Sequence, residues 1–229
     1  MIMANKGNRR HMSALASPRF TAIKRKERSY VAKPNPGRHT ADRAVSLQLV
    51  LNKLGAADTS RKARAIIKNG QVSVNSKTVK VPYYPVGLGD IVAIQRGKAY
   101  RVFINKYAKV DLEEVGKPDY DSQVFKISGK YRTKKGQVMI RLHDGATIKA
   151  GNDVHVNDSV VVDLKNNIKR IFPLKAGAEC VVVSGVHVGA SGSIKALKQG
   201  NMRMEPSAVI KPKDGEEFET IVKNIMVTG

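Results

Sequence analysis

The apolar positions of residues 47–54 recur at a helical spacing. Leu47, Val50, Leu51 and Leu54 stand at i, i+3, i+4 and i+7, which predicts one buried face on a short helix. Gly55 stops that helix, and Asp58 or Thr59 offers a side-chain oxygen to cap a second one. On the second helix Ala63, Ile66 and Ile67 form the inner face, while Arg61, Arg64 and Lys68 fall on roughly the opposite side. Gly70 ends it. The period then changes to two: Val72 and Val74 alternate with polar residues, Asn75-Ser76 can turn, and Val79 and Val81 return. Two helices and a hairpin predict a rigid wedge whose outer surface is cationic, and such a surface suits phosphates.

The remainder reads mostly as strand. Residues 84–94 look like a Gly-rich turn into a buried strand. Residues 100–104 and 109–112 flank a turn at Asn105-Lys106, and strands are predicted at 124–127, 138–142, 160–164 and 168–172. Asp144-Gly145 marks one hairpin and Asn166-Asn167 another. Strands this short and regular predict a small barrel or sandwich. From Pro173 a third unit begins, with a strand at 179–183, a loop punctuated by Gly185, Gly189 and Gly192, and a strand at 193–197. No Lys-Ser/Thr pair and no helix follow that loop, which argues against a nucleotide-binding P-loop. The acidic residues 214–220 are expected to face away from a polyanion. Residues 1–42 have three prolines and little periodicity. They read as a basic tail that orders on RNA, because such a segment does not offset its own chain entropy. Phe20 and Tyr30 within it either stack on a base or pack locally.

Charge sharpens this picture. The chain has 41 Lys plus Arg against 19 Asp plus Glu, a net charge of +22. A polyanionic partner is the simplest way to make such self-repulsion tolerable. No apolar run approaches the ~18 residues of a membrane-spanning helix, so no membrane partner is expected. The N-terminus lacks the apolar core of a secretory signal, with an organellar transit peptide as the alternative. The single Cys180 lies in an apolar run, reads as a buried thiol, and points to a reducing compartment. His11, His39, His143, His155 and His187 show no metal-ligand spacing among themselves or with Cys180. No catalytic triad, HExxH or dinucleotide fingerprint is present. The reading is therefore a non-enzyme with no cofactor, no metal and no small-molecule substrate.

Several segments together resemble a known family. Residues 43–80, RAVSLQLVLNKLGAADTSRKARAIIKNGQVSVNSKTVK, resemble the S4-type RNA-binding module. YPVGLGDIVAI, LHDGATI and VVVSGVHVGASGSI, in that order, resemble ribosomal protein S4e of the small subunit in its compact archaeal form, the last segment looking like a KOW motif. KGNRRHMSALASP and KPNPGRH resemble that family's N-terminal extension. The chain departs from the family where Phe20 and Tyr30 stand in place of the usual Trp, Asn75-Ser76 in place of Asp-Gly, and Gly89 in place of Met.

The resemblance implies an α+β, mostly β fold in four parts: a basic extension (1–42), a helix-helix-hairpin RNA-binding domain (43–95), a central barrel-like β domain (96–172) and a KOW or SH3-like barrel (173–229). It implies a structural constituent of the small ribosomal subunit that acts in translation and subunit assembly in the cytoplasm. The partners would be small-subunit rRNA and neighbouring ribosomal proteins, without homo-oligomerisation. Arg61, Lys62, Arg64 and Lys68 would contact phosphates from the second helix, and Lys77 and Lys80 from the hairpin. Lys6, Arg9, Arg10, Lys24, Arg25, Lys26 and Arg28 would thread RNA from the extension. Two other classes use the same module: an RNA-modifying enzyme, for which residues 96–229 supply no catalytic signature, and a translation or transcription factor contacting protein through its barrel.

Overall fold

The computed structural model describes residues 10–24, 26–94, 97–116, 122–163, 167–201, 203–212 and 215–229. Over these residues the chain is mostly β, with two α-helices.

The N-terminal segment is more ordered than its sequence predicts. β1 (His11–Ser13) pairs antiparallel with β2 (Tyr30–Ala32). A 3-10 turn at Arg19–Thr21 places Phe20 in the apolar cluster that also contains Leu47, Leu51 and Ile67. Ala14 and Val31 are buried too. The segment therefore leans on the next unit's core, which supplies the apolar burial a free tail lacks. Of the two aromatics, Phe20 packs, whereas Tyr30 is 68 % exposed with only an edge-on contact to His11 at 5.5 Å.

The helical wedge follows. β3 (Val45–Ser46) leads into α1 (Leu47–Lys53) and α2 (Ser60–Lys68). Thr59 caps α2, its Oγ1 accepting the Lys62 N–H at 3.3 Å. Leu47, Val50, Leu51, Ala63 and Ile67 are buried, and each large aliphatic side chain so buried contributes about 1.5–3 kcal/mol. Gly70 terminates α2 with φ +73°. β4 (Val72–Val74) and β5 (Lys77–Thr78) form the hairpin, and both turn residues, Asn75 and Ser76, are left-handed at φ 50° and 63°. That is the geometry of a type I′ turn, whose twist matches the strands. Val79 packs inward, but Val81 is exposed: β5 ends at Thr78, so the predicted alternation does not extend that far.

β6 (Pro85–Val86) pairs with β3. β7 (Ile91–Ile94), β8 (Lys98–Ile104) and β9 (Val110–Val115) extend the hairpin into one sheet of order β5-β4-β7-β8-β9. The division expected at residue 95 thus falls inside a sheet. Val102 and Val110 share the apolar cluster of the two helices, so β8 and β9 pack with what precedes them.

Two further five-stranded sheets complete the chain. β10 (Ser122–Arg132), β11 (Val138–Leu142), β12 (Thr147–Lys149), β13 (Ser159–Asp163) and β14 (Ile168–Phe172) are ordered β12-β11-β10-β13-β14 around Phe125, Ile127, Ile140 and Val160. The 11-residue β10 serves both halves, pairing with β13 along its first part and with β11 along its second. β15 (Glu179–Val182), β16 (Ser191–Lys198), β17 (Ser207–Pro212), β18 (Phe218–Ile221) and β19 (Ile225–Val227) are ordered β18-β17-β16-β15-β19 around Cys180, Ile194, Ile210 and Ile225. The last two units are stitched together at buried positions. Lys126 Nζ donates to the Val222 carbonyl at 2.6 Å, the Val227 N–H donates to Ser159 Oγ at 3.0 Å, and the Leu174 N–H donates to Asp158 Oδ1 at 2.9 Å.

Candidate nucleic-acid interface

The outward face of α2 is cationic because its inward face is fixed. With Ala63 and Ile67 buried, Arg61, Lys62, Arg64 and Lys68 are all exposed. They are not equally free. Lys62 Nζ sits 2.7 Å from Asp58 Oδ2, one turn back, and lowers that carboxyl from its ordinary value. Arg64 is oriented: its Nε donates to Gln48 Oε1 at 2.9 Å, and its guanidinium lies 5.8 Å from the centre of the Tyr83 ring. Gln48 is itself buried, so Arg64 projects from a rigid support with its remaining N–H groups available. Arg61 and Lys68 have no ion-pair partner among the described residues.

The hairpin adds to this face. Lys77 and Lys80 are exposed, and a Cβ at Gly70 would meet the Lys80 side chain at 3.5 Å. The Lys80 stem therefore crosses the end of α2 at Gly70, where a cation also suits the helix carbonyls. The N-terminal cations form a second group. Arg10 is exposed at the start of β1, and Lys24, Lys26 and Arg28 are exposed on the connection to β2, with Lys24 paired to Glu27 at 2.7 Å. Lys6, Arg9 and Arg25 lie outside the described residues.

A buried polar network holds the extension against the helical unit, and spacing along the chain does not reveal it. Asp90, 2 % exposed, accepts at Oδ2 from His39 Nε2 (2.7 Å) and the Gly87 N–H (2.9 Å), and at Oδ1 from Asn75 Nδ2 (2.7 Å). Asn75 Oδ1 in turn accepts from the Ile91 N–H (2.9 Å) and Gln123 Nε2 (2.6 Å), which ties in the central unit. Burial alone would raise the Asp90 carboxyl, but the bonds from His39, Gly87 and Asn75 outweigh it and hold it below the usual carboxylate value. Backbone contact is close here: a Cβ on Gly87 would lie 2.4 Å from the His39 ring, and one on Gly37 2.4 Å from Pro85. Arg38 is bonded to the buried Asp144 of the central unit.

The acidic C-terminal stretch does not simply turn outward. Glu217 pairs with Lys195 at 2.8 Å and Glu219 with Lys198 at 2.6 Å across the third sheet, while Lys223 pairs with Glu205. These pairs cancel charge locally on the third sheet. Among the described residues no group of three or more His, Cys, Asp or Glu side chains could hold a metal ion. Cys180 is buried, which pushes its thiol up to about 11 and leaves it unreactive.

A family model described as ribosomal family S4e matches residues 96–168, one described as the S4 domain matches residues 45–92, and one described as the RS4NT (NUC023) domain matches residues 6–42. Small ribosomal subunit protein eS4 of Methanocella arvoryzae is 34% identical over 222 residues, covering 96% of this chain and 94% of that protein. The chain belongs to the ribosomal S4e family. The eS4 of Nanoarchaeum equitans is 32% identical over 222 residues, 95% of this chain and 94% of that one. The crystal structure of 30S ribosomal protein S4e from Thermoplasma acidophilum superposes with a TM-score of 0.71 at 25% identity, covering 82% of this chain and 96% of that chain. S4e proteins are structural ribosomal proteins and not enzymes. The S4-type module expected around α1 and α2 coincides with the S4-domain match.

Proposed function

We propose that this chain is a structural constituent of the small ribosomal subunit in the cytoplasm, that it binds rRNA, and that it acts in subunit assembly and translation. Family membership and the exposed Arg61, Arg64 and Lys68 on a helix whose opposite face is core together support this reading. In this reading α2 and the β4–β5 hairpin track a sugar-phosphate backbone. Arg61 and the preset Arg64 fork engage phosphate oxygens, and Lys62, Lys68, Lys77 and Lys80 supply further charge. Recognition rests on RNA shape, because side chains do not reach into the A-form major groove. Arg10, Lys24, Lys26 and Arg28, together with Lys6, Arg9 and Arg25, form a second RNA contact.

The four-part division carries roles. The extension and the helical unit, with its sheet through β9, bind rRNA, while the β10–β14 and β15–β19 units are small barrels, the last of KOW or SH3-like type, that add RNA contacts and meet neighbouring ribosomal proteins. The chain acts as one copy per subunit. Sedimentation tests this directly: a tagged chain expressed in an archaeal host should remain stoichiometric with small subunits through a high-salt wash. Release into the free pool, or a substoichiometric association, would instead fit a transient factor.

A further inference from the structure

The tip of the β8–β9 hairpin carries a feature that the α2 face does not use. Tyr107 is 80 % exposed, yet the backbone beneath it is fixed. Asn105 Oδ1 accepts the N–H groups of both Tyr107 (3.0 Å) and Lys109 (3.1 Å), and Ala108 is left-handed at φ 59° to close the turn. The hairpin is also clamped from outside. Gly189, in the loop between β15 and β16, meets the Asn105 backbone so closely that a Cβ there would lie 2.6 Å from its carbonyl oxygen. An aromatic ring held in water on a rigid support is preorganised for a partner.

The opposite wall belongs to the N-terminal extension. Pro18, Arg19 and Ile23 face Tyr107 and Lys109 across an open groove of about 380 Å³. That wall is anchored as well, since Phe20, next to Arg19, is buried in the core of the helical unit. Arg19, Lys106 and Lys109 are exposed and carry no ion pair among the described residues. The groove thus combines one exposed ring, an apolar floor and uncompensated cations at its rim, which are the parts of a site that stacks a base and neutralises the phosphate beside it.

We propose that this groove is a slot for a single unpaired nucleobase of RNA, stacked on Tyr107, with Arg19 and Lys109 on the adjoining phosphates. The assignment rests on the RNA-binding reading above and adds a site distinct from α2. A base inside a duplex does not fit it, because both of its faces are already stacked on neighbouring pairs.

The test uses the full chain at ~100 mM salt with two labelled probes, the unstructured hexaribonucleotide ACACAC and a 12-base-pair RNA duplex, and reads affinity by fluorescence anisotropy. Tyr107→Ala should weaken hexamer binding by roughly 5- to 150-fold. Tyr107→Phe should bind it within about twofold, and duplex affinity should be the same in all three proteins. Equal weakening of both probes, or no change in either, would overturn the slot while leaving the RNA-binding reading in place. In the second case Tyr107 would be left as a contact for a protein neighbour. If the unaltered chain binds neither RNA, the underlying reading fails and the slot fails with it.

Discussion

Replacing Asp90 with Asn tests whether the buried network ties the basic extension to the rest of the chain. The substitution keeps the shape and removes the charge. Asp90 Oδ2 receives two donors, His39 Nε2 and the Gly87 N–H, and Oδ1 receives Asn75 Nδ2. In either orientation the amide nitrogen introduced by Asp90→Asn would point at a donor. Asn75 has no way to turn over in response, because its oxygen already accepts from the Ile91 N–H and Gln123. One stranded buried donor costs about 1–3 kcal/mol, and a hydrogen bond to a charged group contributes about 1.5–3 kcal/mol. A loss of about 2–4 kcal/mol therefore follows for Asp90→Asn, read from the first urea transition of the full chain at high salt. Limited proteolysis should show earlier cleavage near residues 33–44. Asp111→Asn, at a half-exposed carboxylate paired with Lys53 at 3.2 Å, serves as the control and should cost under ~1 kcal/mol. Asp90 is held low in the folded chain, so its contribution is full above the unfolded value of ~3.9 and is lost as pH falls below it. Equal midpoints for Asp90→Asn and the unaltered chain would refute the reasoning.

Other outcomes follow from the same contacts. His143 is half-buried, and desolvation of its ring, helped by His39 and Arg43 and opposed by Asp144, pushes it down to about 4; the unfolded chain then takes up the proton first, and urea stability should fall as pH drops from ~6.5 to ~4. His143→Asn should flatten that limb, and an unchanged limb would contradict it. Lys126 is driven down to about 8 by burial and by Arg43, so stability should rise as pH climbs from ~8 to ~10. Lys126→Met should abolish the rise without destabilising at pH 7, since the Val222 carbonyl keeps its bond from the Ile225 N–H. Ser76→Gly relieves a left-handed residue worth about 1–2 kcal/mol and gives back roughly 0.5–1 kcal/mol of chain entropy, so the net gain should be about 0.5–1 kcal/mol in thermal or urea unfolding.

The sequence announces some of these features and hides others for physical reasons. α1 and α2 are legible because their apolar residues hold a helical period between a Thr cap and two glycines. The β4–β5 turn is legible because Asn75, which tolerates positive φ, stands with Ser76 between alternating valines. β18 and β19 escape notice because each is short, and the glutamates around 216–219 disguise a pairing strand as a polar loop. The docking of the extension escapes for a different cause. It depends on Gly37 against Pro85, Gly87 under His39, and Phe20 entering a distant core, and none of these leaves a period in the chain. At the basic face the sequence separates the exposed cations of α2 from its buried side, but does not point to Gln48 and Tyr83, which aim Arg64.

In the proposed function the chain holds RNA, a polyanion, through the cationic face of α2. The direct measurement is the slope of log affinity against log salt for a small-subunit rRNA fragment. If ~6–10 phosphates are neutralised, affinity falls by ~10³–10⁵ between 50 and 200 mM salt. The pair Arg61→Ala and Arg64→Ala together should reduce the slope by about two with the fold intact. A flat salt response, or an unchanged slope in a folded double variant, would contradict the account.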